Sequence, residues 1–122
     1  MKMNYFVIGT NNLKASTKFY DSLFEQTELN QVLTAERMTF WQGEDEDSAF
    51  AVAVAMPFNK EPATNGNGTM IGFGVGSTDE VKRLHRKAVE LGGSCEGEPN
   101  QWGACFSAYV RDLDKNKIAF SK

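Results

Sequence analysis

A chain of 122 residues, 41% of them hydrophobic and 24% charged, carries enough apolar material to fold around a core of its own. Its net charge of −3 argues against a nucleic-acid partner, which requires a basic footprint. No apolar run approaches the roughly 20 residues that cross a bilayer, so no membrane partner is expected. The opening Met-Lys-Met-Asn-Tyr enters a strand pattern without the layout of a signal peptide, which leads to the expectation of a cytoplasmic protein with Cys95 and Cys105 as free thiols.

In chain order, the first strand is predicted over roughly 3–9. A helix follows, capped by Asn11 or Asn12, with Leu13, Thr17, Tyr20, Leu23 and Phe24 recurring at helical spacing. Strand-like segments come next at 29–35 and 37–42, then an acidic turn, Glu44 to Asp47, and a strand at 48–57. Residues 58–69 are rich in Gly, Pro and Asn and read as a connection. The pattern then starts again. Residues 69–76 repeat the apolar run of residues 4–10, and Ser77-Thr78-Asp79-Glu80 has capping-box spacing. Val81, Leu84, Ala88 and Leu91 make the buried stripe of a second helix, which Gly92-Gly93 ends. Strands at about 104–112 and 116–121 close the chain. The repeat is the main finding at this level, since a duplicated unit determines how the whole fold is read. It gives one domain, 1–122, built from module 1–57, linker 58–68 and module 69–122.

Period-two alternation divides each strand between two faces. The helix side is predicted to hold Phe6 and Ile8; Phe50, Val52, Val54 and Met56; Ile71, Phe73 and Val75; Phe106, Ala108 and Val110; and Ile118 and Phe120. The opposite parity reads Tyr5, Val7 and Gly9; Arg37, Thr39 and Trp41; Ala49, Ala51, Ala53 and Ala55; Met70, Gly72 and Gly74; Cys105, Ser107, Tyr109 and Arg111; and Lys117, Ala119 and Ser121. Small residues there leave space, and the rings, with Met70, can border it. A largely apolar concavity with a few polar groups suits a small molecule. The candidate ligand-binding residues are Tyr5, Val7, Trp41, Met70, Gly72, Trp102, Tyr109 and Ala119. The two tryptophans fit a ligand platform or a plain core equally well.

The run Phe6-Val7-Ile8-Gly9-Thr10-Asn11-Asn12-Leu13 with Ser16-Thr17-Lys18-Phe19-Tyr20-Asp21-Ser22-Leu23-Phe24 carries a family resemblance. So do Pro57-Phe58, Pro62-Ala63-Thr64, Gly66-Asn67-Gly68-Thr69, the strand and helix up to Gly92-Gly93, Tyr109-Val110-Arg111-Asp112 and Asn116-Lys117-Ile118. Over nearly its whole length the chain resembles the vicinal-oxygen-chelate superfamily, which includes glyoxalase I, bleomycin-resistance proteins and extradiol dioxygenases. The resemblance implies an α+β fold in which two βαβββ modules form a curved mixed sheet around a shared cavity. It also implies metal ligands, typically His or Glu, on the first and last strands of the modules. The matching positions here are Tyr5, Met70 and Ala119, and strand 48–57 holds no His or Glu. One phenol does not hold a divalent ion, which needs three or four converging donors. No metal, no cofactor and no catalytic residue is therefore expected.

The remaining candidates are weighed individually. His85, the only histidine, is expected to be structural, Cys105 to be a packed thiol, and Glu44–Asp47 to be an exposed turn. Lys115 stands where relatives tend to have a turn glycine, which implies a distorted turn or a positive φ at Asn116. The favoured function is metal-free binding of a small apolar or aromatic molecule by a homodimer. The alternatives are a lactoylglutathione-lyase-like or dioxygenase-like enzyme of the same superfamily and an interaction protein with a vestigial cavity.

Overall fold

The computed structural model describes residues 1–45 and 50–122. The chain forms two compact units, Met1–Thr64 and Asn65–Lys122. The first contains β1 (Tyr5–Gly9), α1 (Leu13–Leu23), β2 (Asn30–Thr34), β3 (Met38–Gln42) and β4 (Ala51–Ala55). The second contains β5 (Met70–Gly74), α2 (Thr78–Glu90), β6 (Ser94–Trp102), β7 (Cys105–Arg111) and β8 (Lys117–Ser121). The sheet orders are β1-β4-β3-β2 and β5-β8-β7-β6. In each unit the first strand runs parallel to the last, and the remaining pairs are antiparallel. Each unit is thus a βαβββ module with the same topology. Ser48 and Ala49, the start of the strand expected at 48–57, and Glu46 and Asp47 of the acidic turn lie outside the described residues.

The helices start where the sequence provides caps. Asn12 Oδ1 accepts from Ala15 N at 3.0 Å, and Ser77 Oγ accepts from Glu80 N at 3.1 Å. Asp79 and Glu80 in the first turn of α2 also suit the positive end of its dipole. Gly92, at φ +106, ends α2 in a conformation that a side chain would strain.

Helix α1 packs on β3 and β4, and α2 packs on β6, β7 and β8. The first core is aromatic: Phe19, Tyr20, Leu23, Phe24 and Trp41 are buried with Val52 and Val54. The second is mainly aliphatic, with Val81, Leu84, Ala88, Ala108, Val110 and Ile118 beside Phe73 and Phe120.

Three expectations are corrected. The parity of β3 is inverted, because Thr39 pairs with Val54 and Trp41 with Val52, and residues directly opposite share a face. Thr39 Oγ1 lies 3.0 Å from Thr17 Oγ1, and Trp41 Nε1 donates to Asp21 Oδ1 at 2.7 Å, so both side chains turn toward α1. Strand β6 lies where no strand was expected, since Ser-Cys-Glu-Gly-Glu-Pro-Asn-Gln-Trp lacks β-branched residues and contains Gly and Pro. It survives as an edge strand whose ladder slips between Cys95 and Gly97 and again between Gly97 and Asn100. In the β7–β8 turn, Lys115 itself takes φ +71, not Asn116.

Candidate functional site

Each sheet has a face turned away from its helix. In the first unit that face carries Tyr5 and Val7, 59% and 45% exposed, with Phe40 and the alanines of β4. Tyr5 meets Phe40 edge to face, with ring centroids 6.1 Å apart. In the second unit the register places Met70 beside Lys117, Gly72 beside Ala119, and Ala119 beside Tyr109. Trp102 pairs with Cys105, which shares its face with Ser107 and Tyr109. Met70 and Trp102 are 49% and 53% exposed. A Cβ built on Gly72 or Gly74 would meet nothing within 4 Å. Lys117 Nζ sits 5.4 Å from the centre of the Tyr109 ring, a cation–π contact that fixes one border of this face.

The eight candidate positions therefore divide unevenly. Met70, Gly72, Trp102, Tyr109 and Ala119 share one face of the second sheet, and Tyr5 and Val7 share one face of the first. Trp41 is not available there: it is 1% exposed, with ring centroids 5.8 Å from both Tyr20 and Phe24 under α1. Cys105 is exposed and not packed as expected. A pocket of about 730 Å³ in the first unit is lined by Thr10, Asn11, Arg37, Met56, Lys60 and Pro62, among others, and contains none of the eight.

The positions that the resemblance implies for a metal carry few donor atoms. Ala119 has no donor atom, Met70 offers only a thioether, and Tyr5 a phenol. The donors that do converge lie elsewhere. His85, Cys95 and Glu98 place ligand-type atoms within 4.8 Å of one another. The contacts are His85 Nε2 to Cys95 Sγ at 3.3 Å and Cys95 Sγ to Glu98 Oε1 at 3.4 Å. Removal from water, and then the hydrogen bond to Glu98, raise the Cys95 thiol above its usual range. A sulfur held protonated in this way is a poor nucleophile. Sequence reasoning missed the trio because Cys95 and Glu98 are three apart on a segment not read as a strand, and only the slipped ladder turns them to one side.

The model of the glyoxalase/bleomycin resistance protein/dioxygenase superfamily matches residues 2–120. The chain belongs to this superfamily. Among solved structures it is similar to a glyoxalase/bleomycin resistance protein from Albidiferax ferrireducens T118, at 30% identity over 98% of this chain and 96% of that one, with a TM-score of 0.86. A glyoxalase-related enzyme from Fulvimarina pelagi matches at 20% identity, TM-score 0.80, over 99% of this chain and 87% of that one. Lactoylglutathione lyase from Agrobacterium tumefaciens matches at 18% identity, TM-score 0.71, over 98% of this chain and 92% of that one. The last two likenesses show the fold alone. A search of curated proteins found no match. The paired βαβββ modules are thus the glyoxalase-like α+β fold, and among the described residues no helix is long and apolar enough to cross a membrane.

Proposed function

We propose that this superfamily member is a cytoplasmic protein that binds a small apolar or aromatic molecule, without a metal at Tyr5, Met70 or Ala119. One observation carries the reading. On the second sheet's helix-free face, Gly72 and Gly74 leave open space beside Met70 and buried Ala119, with Tyr109 on the next strand and Trp102 on the edge strand beyond it. Apolar area with a few polar groups at its rim is the composition of small-molecule sites.

Trp102 provides the assay. Trp41 is buried under α1, so a hydrophobic dye such as anilinonaphthalene sulfonate docking on this face should quench Trp102 and spare Trp41. Saturable quenching is expected, and Gly72→Phe should weaken it at least tenfold with an unchanged circular-dichroism spectrum. Equal binding in Gly72→Phe overturns the site. The enzyme alternative, lactoylglutathione-lyase-like or dioxygenase-like, requires turnover that a chelator abolishes. No turnover of methylglyoxal with glutathione is expected, because the positions matched to the family's ligands offer at most a phenol and a thioether.

We also propose a homodimer. Every residue of edge strand β2 is exposed, and an uncovered edge is a template for pairing. Light scattering at high micromolar concentration should return twice the chain mass, and a monomer there rejects the dimer.

A further inference from the structure

The face of β6 toward α2 carries chemistry that the ligand-binding reading does not use. His85 is buried, at 6% exposure, on the inner side of α2 one residue after Leu84. Across from it, Cys95 pairs with Val110 on the same side of the sheet. In a regular strand Glu98 would point the other way, because residues three apart occupy opposite faces. The register slip between Cys95 and Gly97 inverts the alternation and brings Glu98 Oε1 to Cys95 Sγ. Gly97 between them makes the slip feasible, since a Cβ there would come within 2.8 Å of the Tyr109 ring.

We propose that His85, Cys95 and Glu98 form a binding site for a zinc-type divalent cation, clamping α2 to edge strand β6. The donor set is imidazole nitrogen, thiolate sulfur and carboxylate oxygen, the three ligand types zinc uses. The spacing agrees as well. Bonds of about 2.0–2.3 Å at tetrahedral angles put neighbouring donors about 3.5 Å apart. Two of the three edges match, at 3.3 Å from His85 Nε2 to Cys95 Sγ and 3.4 Å from Cys95 Sγ to Glu98 Oε1, and the third is within 4.8 Å. On binding, the Sγ–H bond breaks and its proton leaves to water, so the metal–sulfur bond replaces it without any redox change. The trio also lines a groove of about 360 Å³ with Lys82, Arg86 and Pro99. Three protein donors leave a fourth position, which water or a small anion can enter from this groove. The site lies away from Tyr5, Met70 and Ala119, is independent of the proposed small-molecule face, and revises the expectation of a chain without metal-binding residues.

The test uses the full chain, reduced and stripped with chelator, with Co²⁺ as a spectroscopic stand-in for Zn²⁺. One equivalent of Co²⁺ should produce a thiolate-to-metal absorption band, and one equivalent of Zn²⁺ should remove it. Cys95→Ser should abolish the band, whereas Cys105→Ser should retain it. Cys95 is exposed, so its substitution spares the core; circular dichroism confirms that each variant is folded. Glu98→Gln should weaken Zn²⁺ binding at least tenfold in competition with a chromophoric chelator, and it leaves the buried His85 untouched. No thiolate band in the wild-type chain, a band surviving Cys95→Ser, or unchanged Zn²⁺ affinity in Glu98→Gln would overturn the proposal.

Discussion

The two modules share one topology and fill the same place differently. In the first, Gln31 on the edge strand faces Trp41; in the second, Cys95 on the edge strand faces Val110. The indole fills the space under α1, contacts Tyr20 and Phe24, and donates to Asp21. Gln31, with its amide oriented to satisfy both ends, donates to the two Asp21 oxygens at 2.9 and 3.0 Å. This helix-to-edge-strand contact is therefore hydrophobic packing with a hydrogen-bonded rim, beside a small groove of about 230 Å³ that Asp21, Gln31 and Trp41 help to line. In the second module Val110 is much smaller than an indole, and the helix supplies His85 where the first module packs rings. A donor cluster and a larger groove, of about 360 Å³, occupy the corresponding place. Duplication fixes the backbone; side-chain volume on the third strand of each module sets how much of the helix edge is filled.

Removing the large side chain should break the comparison most visibly. Trp41→Ala leaves a cavity among Tyr20, Phe24 and Val52 and should cost about 3–5 kcal/mol. Val110→Ala at the paired position of the second module should cost about 2 kcal/mol, because far less volume is lost. Urea unfolding of both variants checks this. Equal costs would mean that the two helix edges are packed alike.

A second contrast separates the two faces of one strand. Phe73 is buried and stacks on Phe120 with centroids 6.1 Å apart, so Phe73→Ala should cost about 3–5 kcal/mol. Its neighbour Gly72 has open space at its Cβ, so Gly72→Phe should change stability by less than about 1 kcal/mol. If Gly72→Phe unfolds the chain while Phe73→Ala is harmless, the assignment of faces on β5 is inverted.

How much of this was legible depends on how many signals agree at each residue. Helix α2 was readable because cap, stripe and terminating glycines at Ser77, Val81, Leu84, Ala88 and Gly92 all point to the same element. Strand β3 was not, because both parities of Met38-Thr39-Phe40-Trp41 carry apolar groups, and alternation alone cannot choose between Phe40 and Trp41. The deciding partners, Thr17 and Asp21, lie on α1 and come close only in the fold. The His85–Cys95–Glu98 cluster was hidden for a related reason, since a bulge leaves no periodic trace in sequence. On the candidate ligand face, simple alternation succeeded for Met70, Gly72, Tyr109 and Ala119, whose strands pair in register without slips.

The β7–β8 turn has strain to release. Lys115 sits at φ +71, where its Cβ crowds the following carbonyl. Asp112 anchors the turn: its Oδ1 accepts from Asp114 N and Asn116 N at 2.9 Å each, and its Oδ2 accepts from Asn116 Nδ2 at 3.0 Å. That geometry holds without the lysine side chain. Lys115→Gly should therefore stabilise the second module by about 0.5–1 kcal/mol, the relief of left-handed strain less the added chain entropy of glycine. A lower thermal midpoint would show that the side chain contributes more than its backbone strain costs.

The smallest effect expected is electrostatic and concerns two ion pairs of the second module. On α2, Glu80 is held below its usual 4.5, first by its hydrogen bonds from Arg83, which outweigh partial burial, and then by the Arg83 charge. On β6, Glu96 is lowered by its hydrogen bond from Arg111 and by that charge. Both lie in the second module. A depressed carboxylate contributes stability that is fully present above its unfolded value and is lost as pH falls through its folded value. The second module should therefore lose stability from these pairs as pH drops below about 4.5, with the Glu80–Arg83 pair contributing roughly 0.3–0.5 kcal/mol. Arg83→Met should flatten that part of the stability–pH curve and leave the neutral-pH fold intact. Urea midpoints at pH 7 and pH 3 measure the difference, and an unchanged acid slope in Arg83→Met would remove the pair from the account.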